Sequence, residues 1–402
     1  MPGRSLMSIL AGVLAGALVA CGNASTSTAT PSSTTPFNVL AVGSLTGPTG
    51  SLGAACVNGL QTAALLLNAS GGIEGHRIQI KTYDSQGNTT QAVSLLQQAL
   101  GTGTTWNYTM SGGSSDEALA TGPTITQAKI ITVAENGLLS LGDATKYPYR
   151  FLDTSNSDII SKFVVEHAQK QGFKKLALLT EDNAYGQQER ASYSANLKAA
   201  NVSFVDQVFS ATAVDISPAL LQLQAAGVDG VIWNALGASV GYVLKSRLKV
   251  GFMVPFIGDI GVSSSDVPTL AGSPEALKNL VMQSFAIDVS SPSWATNASF
   301  NNFLGTLKQV AVTIGQPLHA YGLCFDGLQA YNIAAKQAGS IDPDKVKNAL
   351  EHLKVPDSSP LVVWGKGFGW TPQSHVQVNT PDQFVITKPG PLKEGQVVPG
   401  SY

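Results

Sequence analysis

From residue 37 onward, short apolar runs rich in β-branched residues alternate with longer stretches whose apolar positions recur at helical spacing. The run FNVLAV at 37–42 predicts a strand, GSLTGPTGSLG a loop, and residues 54–68 a helix with Leu60, Ala63, Ala64 and Leu67 on one face. Gly71-Gly72 ends that helix, because glycine enters the left-handed conformation of a C-cap without steric cost. Strands follow at 78–83, 107–111 and 130–133, with helices at 89–100 and 115–127 between them. After Tyr149 the alternation restarts, with helices at 158–171, 186–200, 218–226 and 240–250 and strands at 175–180, 203–208, 230–234 and 255–258. A further stretch begins at 282–287, and helices are predicted at 321–338 and 343–353. Such alternation implies an α/β fold of two doubly wound parallel-sheet lobes, and the late elements, too few for a third lobe, return to complete the first two. The lobes are assigned as 37–153 plus 286–369 and 154–285 plus 370–402. WGKGFGW at 364–370 reads as a Gly-rich turn closing a lobe, with a carbohydrate platform as the alternative, and the Pro/Gly-rich tail from 389 reads as extended.

Residues 1–36 stand outside this alternation. Arg4 precedes an apolar run at 6–20, and about fifteen apolar residues fall short of the roughly twenty that span a membrane but suit a secretory leader. The small residues of LVACG resemble the lipobox of lipoprotein signal peptidase. That predicts Cys21 as an acylated N-terminus holding the protein to a membrane outside the cytoplasm, with a plain cleaved signal peptide as the alternative. Residues 22–36 are Ser, Thr, Ala and Pro without charge and fit a flexible tether.

Composition narrows the partners. With 24 Lys plus Arg against 26 Asp plus Glu and 12% charged residues, the chain has no strong field for nucleic acid, so a small ligand is expected. The 5 His and 3 Cys lack metal or haem spacing, and neither a metal nor a cofactor is expected. With Cys21 lipidated, Cys56 and Cys324 remain as an even pair in an oxidising compartment, which favours a disulfide; two buried free thiols are the alternative.

The segment SLTGPTGSLGAACVNGLQTAALLLNASGGIEGHRIQIKTYDSQGNTTQAV at 44–93 resembles the opening of the branched-chain amino acid binding proteins of ABC transporters, the type I periplasmic binding proteins. The resemblance rests on Gly47-Pro48, Gly59, Asn68, Gly71-Gly72-Ile73, Gly75 and Asp84, and continues in LALLTEDNAYGQ at 176–187 and HAYGLCFDGLQAYNIAAKQAG at 319–339. It implies a monomeric binder whose two lobes close on a small ligand for an ABC permease. Ser114, with Ser115 and nearby amides, matches the segment that receives a ligand carboxylate, although either serine also suits a helix N-cap. Tyr185 matches the tyrosine that closes over the ligand, and Asp259 the acid that receives its ammonium. Leu52 and Leu236 stand where relatives often carry pocket aromatics. Glu135, Asn136 and Ala118 depart from the family's usual residues, and Glu135 adds a second carboxylate that favours an ammonium, amide or polyhydroxyl ligand.

Other classes of function leave weaker marks. A sensor receptor would use the same cleft. Gly237-Ala238-Ser239-Val240-Gly241 satisfies a hydrolase nucleophile elbow between a strand and a helix, but no HGGG-like loop accompanies it and His375 is its distant base candidate. No Gly-x-Gly-x-x-Gly follows the first strand, which disfavours a dehydrogenase.

Overall fold

In the computed structural model the described residues are 33–398, apart from 112–113, 135–136, 155, 365–366 and 378–382. Cys21, Glu135 and Asn136 therefore lie outside the described residues.

The first lobe opens with β1 (Phe37–Gly43), α1 (Gly50–Ala69), β2 (Ile78–Asp84), α2 (Thr89–Leu100), β3 (Tyr108–Ser111), α3 (Ser115–Gln127), β4 (Thr132–Ala134) and β5 (Arg150–Leu152). The strands run parallel in the order β2-β1-β3, and a bridge between Tyr108 and Ile131 leads on to the β4–β5 pair. Helices cover both faces, so the central strand is apolar at successive positions rather than alternate ones. Phe37, Val39 and Ala41 enter a core shared with α1, while Leu40 and Val42 enter another with Ala92, Leu96 and Ile125.

The second lobe follows as α4 (Ser157–Gln171), β6 (Leu176–Glu181), α5 (Ala184–Ala199), β7 (Phe204–Phe209), α6 (Ser217–Ala225), β8 (Gly230–Trp233), α7 (Ala238–Val250), β9 (Phe256–Gly258), α8 (Ile260–Ser263), α9 (Val267–Ala271) and β10 (Leu280–Phe285). The chain then returns to the first lobe through α10 (Ala298–Val310), α11 (Leu318–Ala338) and α12 (Pro343–Leu350), and β11 (Phe384–Thr387) rejoins the second sheet. That sheet has the order β11-β10-β9-β8-β6-β7, parallel except where β11 meets β10. Leu176, Leu178, Ile232 and Ile257 pack under α4 and α5, whereas Leu179, Val231, Trp233 and Phe256 pack on the opposite face.

One lobe boundary differs from the expected one, and the expected disulfide is present. The return to the second lobe is later than residue 370: Leu152 N donates to the His375 carbonyl at 2.8 Å and Trp370 Nε1 to the Leu152 carbonyl at 2.8 Å, which keeps this stretch on the edge of the first sheet. Cys56 and Cys324 are bonded, with Cα atoms 5.2 Å apart, so the free-thiol alternative falls. The bond clips α1 to α11, where Gly59 allows close approach: a Cβ there would sit 2.0 Å from the Tyr321 carbonyl oxygen.

A buried polar knot fixes one crossing between the lobes. His319 Nδ1 lies 2.6 Å from Asp288 Oδ2 and its Nε2 lies 2.9 Å from Ser264 Oγ. Ser264 belongs to the second lobe, His319 to the first turn of α11, and Asp288 to the turn after β10. The Ser264 hydroxyl also donates to the Ile260 carbonyl at 2.8 Å, and the knot is sealed from solvent, with His319 1% exposed, so these side chains hold the crossing in place.

Candidate functional site

The lobes meet over the carboxyl ends of their parallel strands, where open α/β sheets expose helix N-termini and loops. On one side Ala238 N donates to the Pro48 carbonyl at 3.3 Å. Gly237, at φ +56°, makes this approach; a Cβ there would lie 2.5 Å from the Pro48 oxygen. On the other side the ring of Tyr185 covers Gly137, where a Cβ would lie 2.5 Å from the ring. Gln188, one turn along α5, accepts from Leu139 N at 2.5 Å and donates to the Gly137 carbonyl and, at 2.6 Å, to Ser157 Oγ. The rims are thus in contact at two places, which describes a closed cleft.

The first lobe contributes the start of α3. Ser114 caps that helix, its Oγ accepting from Glu117 N at 3.3 Å, so the N-cap alternative is realised; its own proton remains able to donate elsewhere. Ser115 is buried beside it. Glu117, not singled out in the sequence, is fully buried and accepts from Ser44 Oγ at 3.3 Å and Ser85 Oγ at 2.5 Å, drawing the loops after β1 and β2 to the helix start. Its signal was legible, since Ser114-x-x-Glu117 has capping-box spacing. Asp84 accepts from Leu45 N at 2.9 Å and Thr46 Oγ1 at 2.7 Å and so orders the Gly/Pro loop. Leu52 is half-buried against the first-lobe core, and Ala118 is wholly buried.

The second lobe contributes a dense acidic and amide layer. Leu179, Trp233, Gly258 and Met282 are register partners across β6, β8, β9 and β10. One residue further on, Thr180, Asn234, Asp259 and Gln283 form a fully buried polar row. Asp259 caps α8, accepting from Val262 N at 3.2 Å, and accepts from Asn234 Nδ2 at 2.7 Å. It is therefore enclosed in the lobe rather than standing open at the cleft edge. Thr180 Oγ1, Asn234 Oδ1, both amide atoms of Gln283, Glu189 Oε2 and Tyr193 Oη have no hydrogen-bond partner in this layer. Glu181 ends β6, accepting from Asn183 Nδ2 at 2.7 Å and from Leu236 N at 3.4 Å.

No Lys or Arg pairs with Glu181, Glu189 or Asp259 among the described residues. Burial disfavours their charged forms. It pushes the Glu181 carboxyl up to about 7, and raises Glu189 and Asp259, which repel one another, above the ordinary carboxylate range. Burial also raises the Tyr185 phenol.

The hydrolase constellation does not assemble. Ser239 Oγ donates to the Ala211 carbonyl at 3.3 Å, while the His375 nitrogens are engaged by the Arg150 carbonyl at 2.9 Å and Glu351 at 3.0 Å on the first lobe.

Paired α/β lobes in contact over the carboxyl ends of their parallel strands are the architecture of the type I solute-binding proteins. The chain belongs to the periplasmic binding protein family, whose model matches residues 36–380. Membership places it outside the cytoplasm. It is 24% identical over 250 residues to the Leu/Ile/Val-binding protein of Escherichia coli, covering 59% of this chain and 64% of that protein, just under two thirds of the relative's length. It is 23% identical over 323 residues to Leu/Ile/Val-binding protein homolog 1 of Brucella suis, covering 76% of this chain and 80% of that one. Among solved structures, a solute-binding protein of an R. palustris ABC transporter in complex with 4-hydroxybenzoate superposes with TM-score 0.76 at 18% identity, covering 91% of this chain and 95% of that one. A branched-chain amino acid transporter substrate binding protein of Streptococcus pneumoniae in complex with isoleucine gives TM-score 0.73 at 19% identity, covering 90% and 97%.

Proposed function

We propose that this chain is an extracytoplasmic solute-binding lipoprotein that closes on an amino acid or a similar small polar ligand and presents it to the permease of an ABC importer. The observation that carries this reading is the electrostatic asymmetry of the cleft. One wall offers the N-terminus of α3 with Ser114, suited to a carboxylate; the other holds three buried carboxylates with no cation paired to them among the described residues. A zwitterion complements both. Ser114, Ser115 and the α3 amides receive its carboxylate, while Glu181, with Glu135 and Asn136, receives its ammonium and the enclosed Asp259 acts through its charge rather than by contact. Tyr185 acts as lid, and Leu52 and Leu236 meet its side chain. Relatives described as Leu/Ile/Val-binding proteins support an amino acid. Cys21 carries the lipid that keeps the cleft within reach of the permease.

A thermal-shift screen of the chain from residue 22 against amino acids, amides, polyols and small aromatic acids tests the assignment. A ligand at a hundredfold its dissociation constant stabilises by about 2.7 kcal/mol. An amino acid should do so, and Ser114→Ala and Glu181→Gln should each weaken it by about tenfold, as expected for a charge-assisted hydrogen bond. Stabilisation by aromatic acids or polyols alone would remove the ammonium role from the second lobe. For the anchor, Cys21→Ser should shift the protein from the detergent to the aqueous phase on partition.

A further inference from the structure

The β4–β5 pair of the first lobe carries a buried charge that no side chain answers. Thr132 on β4 and Arg150 on β5 are register partners. Their neighbours Ile131, Val133 and Phe151 enter the core shared with α1 and α11. Side chains alternate along a strand, so Thr132 and Arg150 both face the other way, toward α3. Leu152, two residues past Arg150 and on the same face, packs there with Ala118, Leu141 and Tyr147.

Arg150 is 1% exposed, yet its Nε, Nη1 and Nη2 have no hydrogen-bond partner, and neither has Oγ1 of the fully buried Thr132. Among the described residues no Asp or Glu pairs with the guanidinium. Burial pushes it down to about 10, so it keeps its charge at neutral pH. A buried charge without a counter-charge is far more costly than a buried amide without a partner. The strand cannot turn the side chain outward, because Arg150 N donates to the Tyr147 carbonyl at 3.0 Å and the Arg150 carbonyl lies 2.9 Å from His375 Nδ1. Paired strands lie roughly 4.8 Å apart, which brings the Thr132 hydroxyl within reach of the guanidinium. Arginine is a donor only and the hydroxyl can donate, so the pair presents donors without an acceptor, the chemistry of an anion site.

We propose that Arg150 and Thr132 form an anion site inside the first lobe, separate from the cleft, that holds a single halide ion, with chloride as its ordinary occupant. The guanidinium N–H groups and the Thr132 hydroxyl donate to the ion, and its charge offsets that of Arg150. Close packing favours a monatomic ion over an oxyanion: on the neighbouring turn of α3 a Cβ at Gly122 would already lie 2.7 Å from the Tyr147 ring. The site stands independently of the ligand assigned to the cleft.

Urea unfolding of the chain from residue 22, in sodium chloride against sodium gluconate at equal ionic strength, tests it. An ion at ten times its dissociation constant raises the folded-to-unfolded ratio about elevenfold, so chloride should raise the midpoint saturably and gluconate should not. Arg150→Met, which keeps the aliphatic stem without the charge, should lose the dependence, whereas Arg190→Met, at an exposed ion pair with Asp206, should keep it. Crystals soaked in sodium bromide should show an anomalous peak within hydrogen-bond distance of the Arg150 guanidinium, and this arm and the salt comparison on the unaltered chain decide the matter even where Arg150→Met does not fold. Equal midpoints in the two salts, a chloride effect that survives in Arg150→Met, or a bromide map empty at Arg150 would each overturn the proposal.

Discussion

Gly137 and Tyr185 show how much a single missing methyl group decides at the cleft. The ring lies where a Cβ on residue 137 would have to go, so the closed contact depends on glycine there. Gly137→Ala should hold the lobes apart at a cost of about 1–3 kcal/mol, the usual penalty of overpacking, with little change in the fold of either lobe. Small-angle scattering checks this: the radius of gyration should rise in the variant and fall back in Gly137→Ala/Tyr185→Ala. Tyr185 was legible from the motif around it, as was the capping position of Ser114. Gly137 and Gln188 were not, because their importance comes from atoms of the opposite lobe, far away in sequence. Asp259 was legible as a polar residue at a strand end, but its enclosure by Asn234 and the start of α8 was not.

The pairing of α1 with α11 carries much of the first lobe's core. Gly59→Ala would drive a Cβ into the Tyr321 backbone oxygen, which no rotamer change relieves, so a loss of about 3 kcal/mol or more is expected in equilibrium denaturation. A neighbouring Ala63→Gly, which adds no atom, should cost only about 1 kcal/mol of helix propensity plus the lost methyl contact. The long elements were readable because their apolar positions repeat over several turns or along an uninterrupted strand. β5 escaped notice because three residues carry no period, and β11 because it is short and antiparallel within an otherwise parallel sheet. α10 had a signal that was passed over: Asn297 caps it, and Phe300, Phe303 and Leu307 recur on one buried face. Strand order and the late return of the chain are long-range pairings, and local pattern does not encode them.

Across the whole molecule, buried carboxyls set the response to pH. Glu181 and Asp326 are pushed up to about 7, and Glu189 and Asp259 are raised as well, all chiefly by burial, whereas in the unfolded chain such groups titrate near 4. Between those values the native state binds more protons than the unfolded one, so stability falls as pH rises. The ligand-free protein should lose ~2–5 kcal/mol between pH 5 and pH 8, measured by chemical denaturation at each pH. Below pH 4 the trend reverses, because Asp215 beside Lys249 and Asp344 beside Tyr149 and Lys129 are held below the ordinary range and protonate with loss of their partners. A ligand bringing an ammonium to the second lobe favours the ionised carboxyls, so its affinity should climb over the pH range in which the empty protein weakens. Calorimetric titration at pH 5.5 and 7.5 in buffers of different ionisation enthalpy should show that climb, with proton release on binding.

The cross-link between Cys56 and Cys324 makes the chain from 57 to 323, with the second lobe from α4 to β10, a covalent ring fastened to the first lobe. That part of the second lobe is then topologically a pendant: a protease can cut it once between α4 and β10 without dividing the molecule. Limited digestion at one site should therefore give a single band on a gel run without reductant and two bands once thiol is added. A binding protein held at a cell surface by its N-terminus would keep its cleft attached after such a nick.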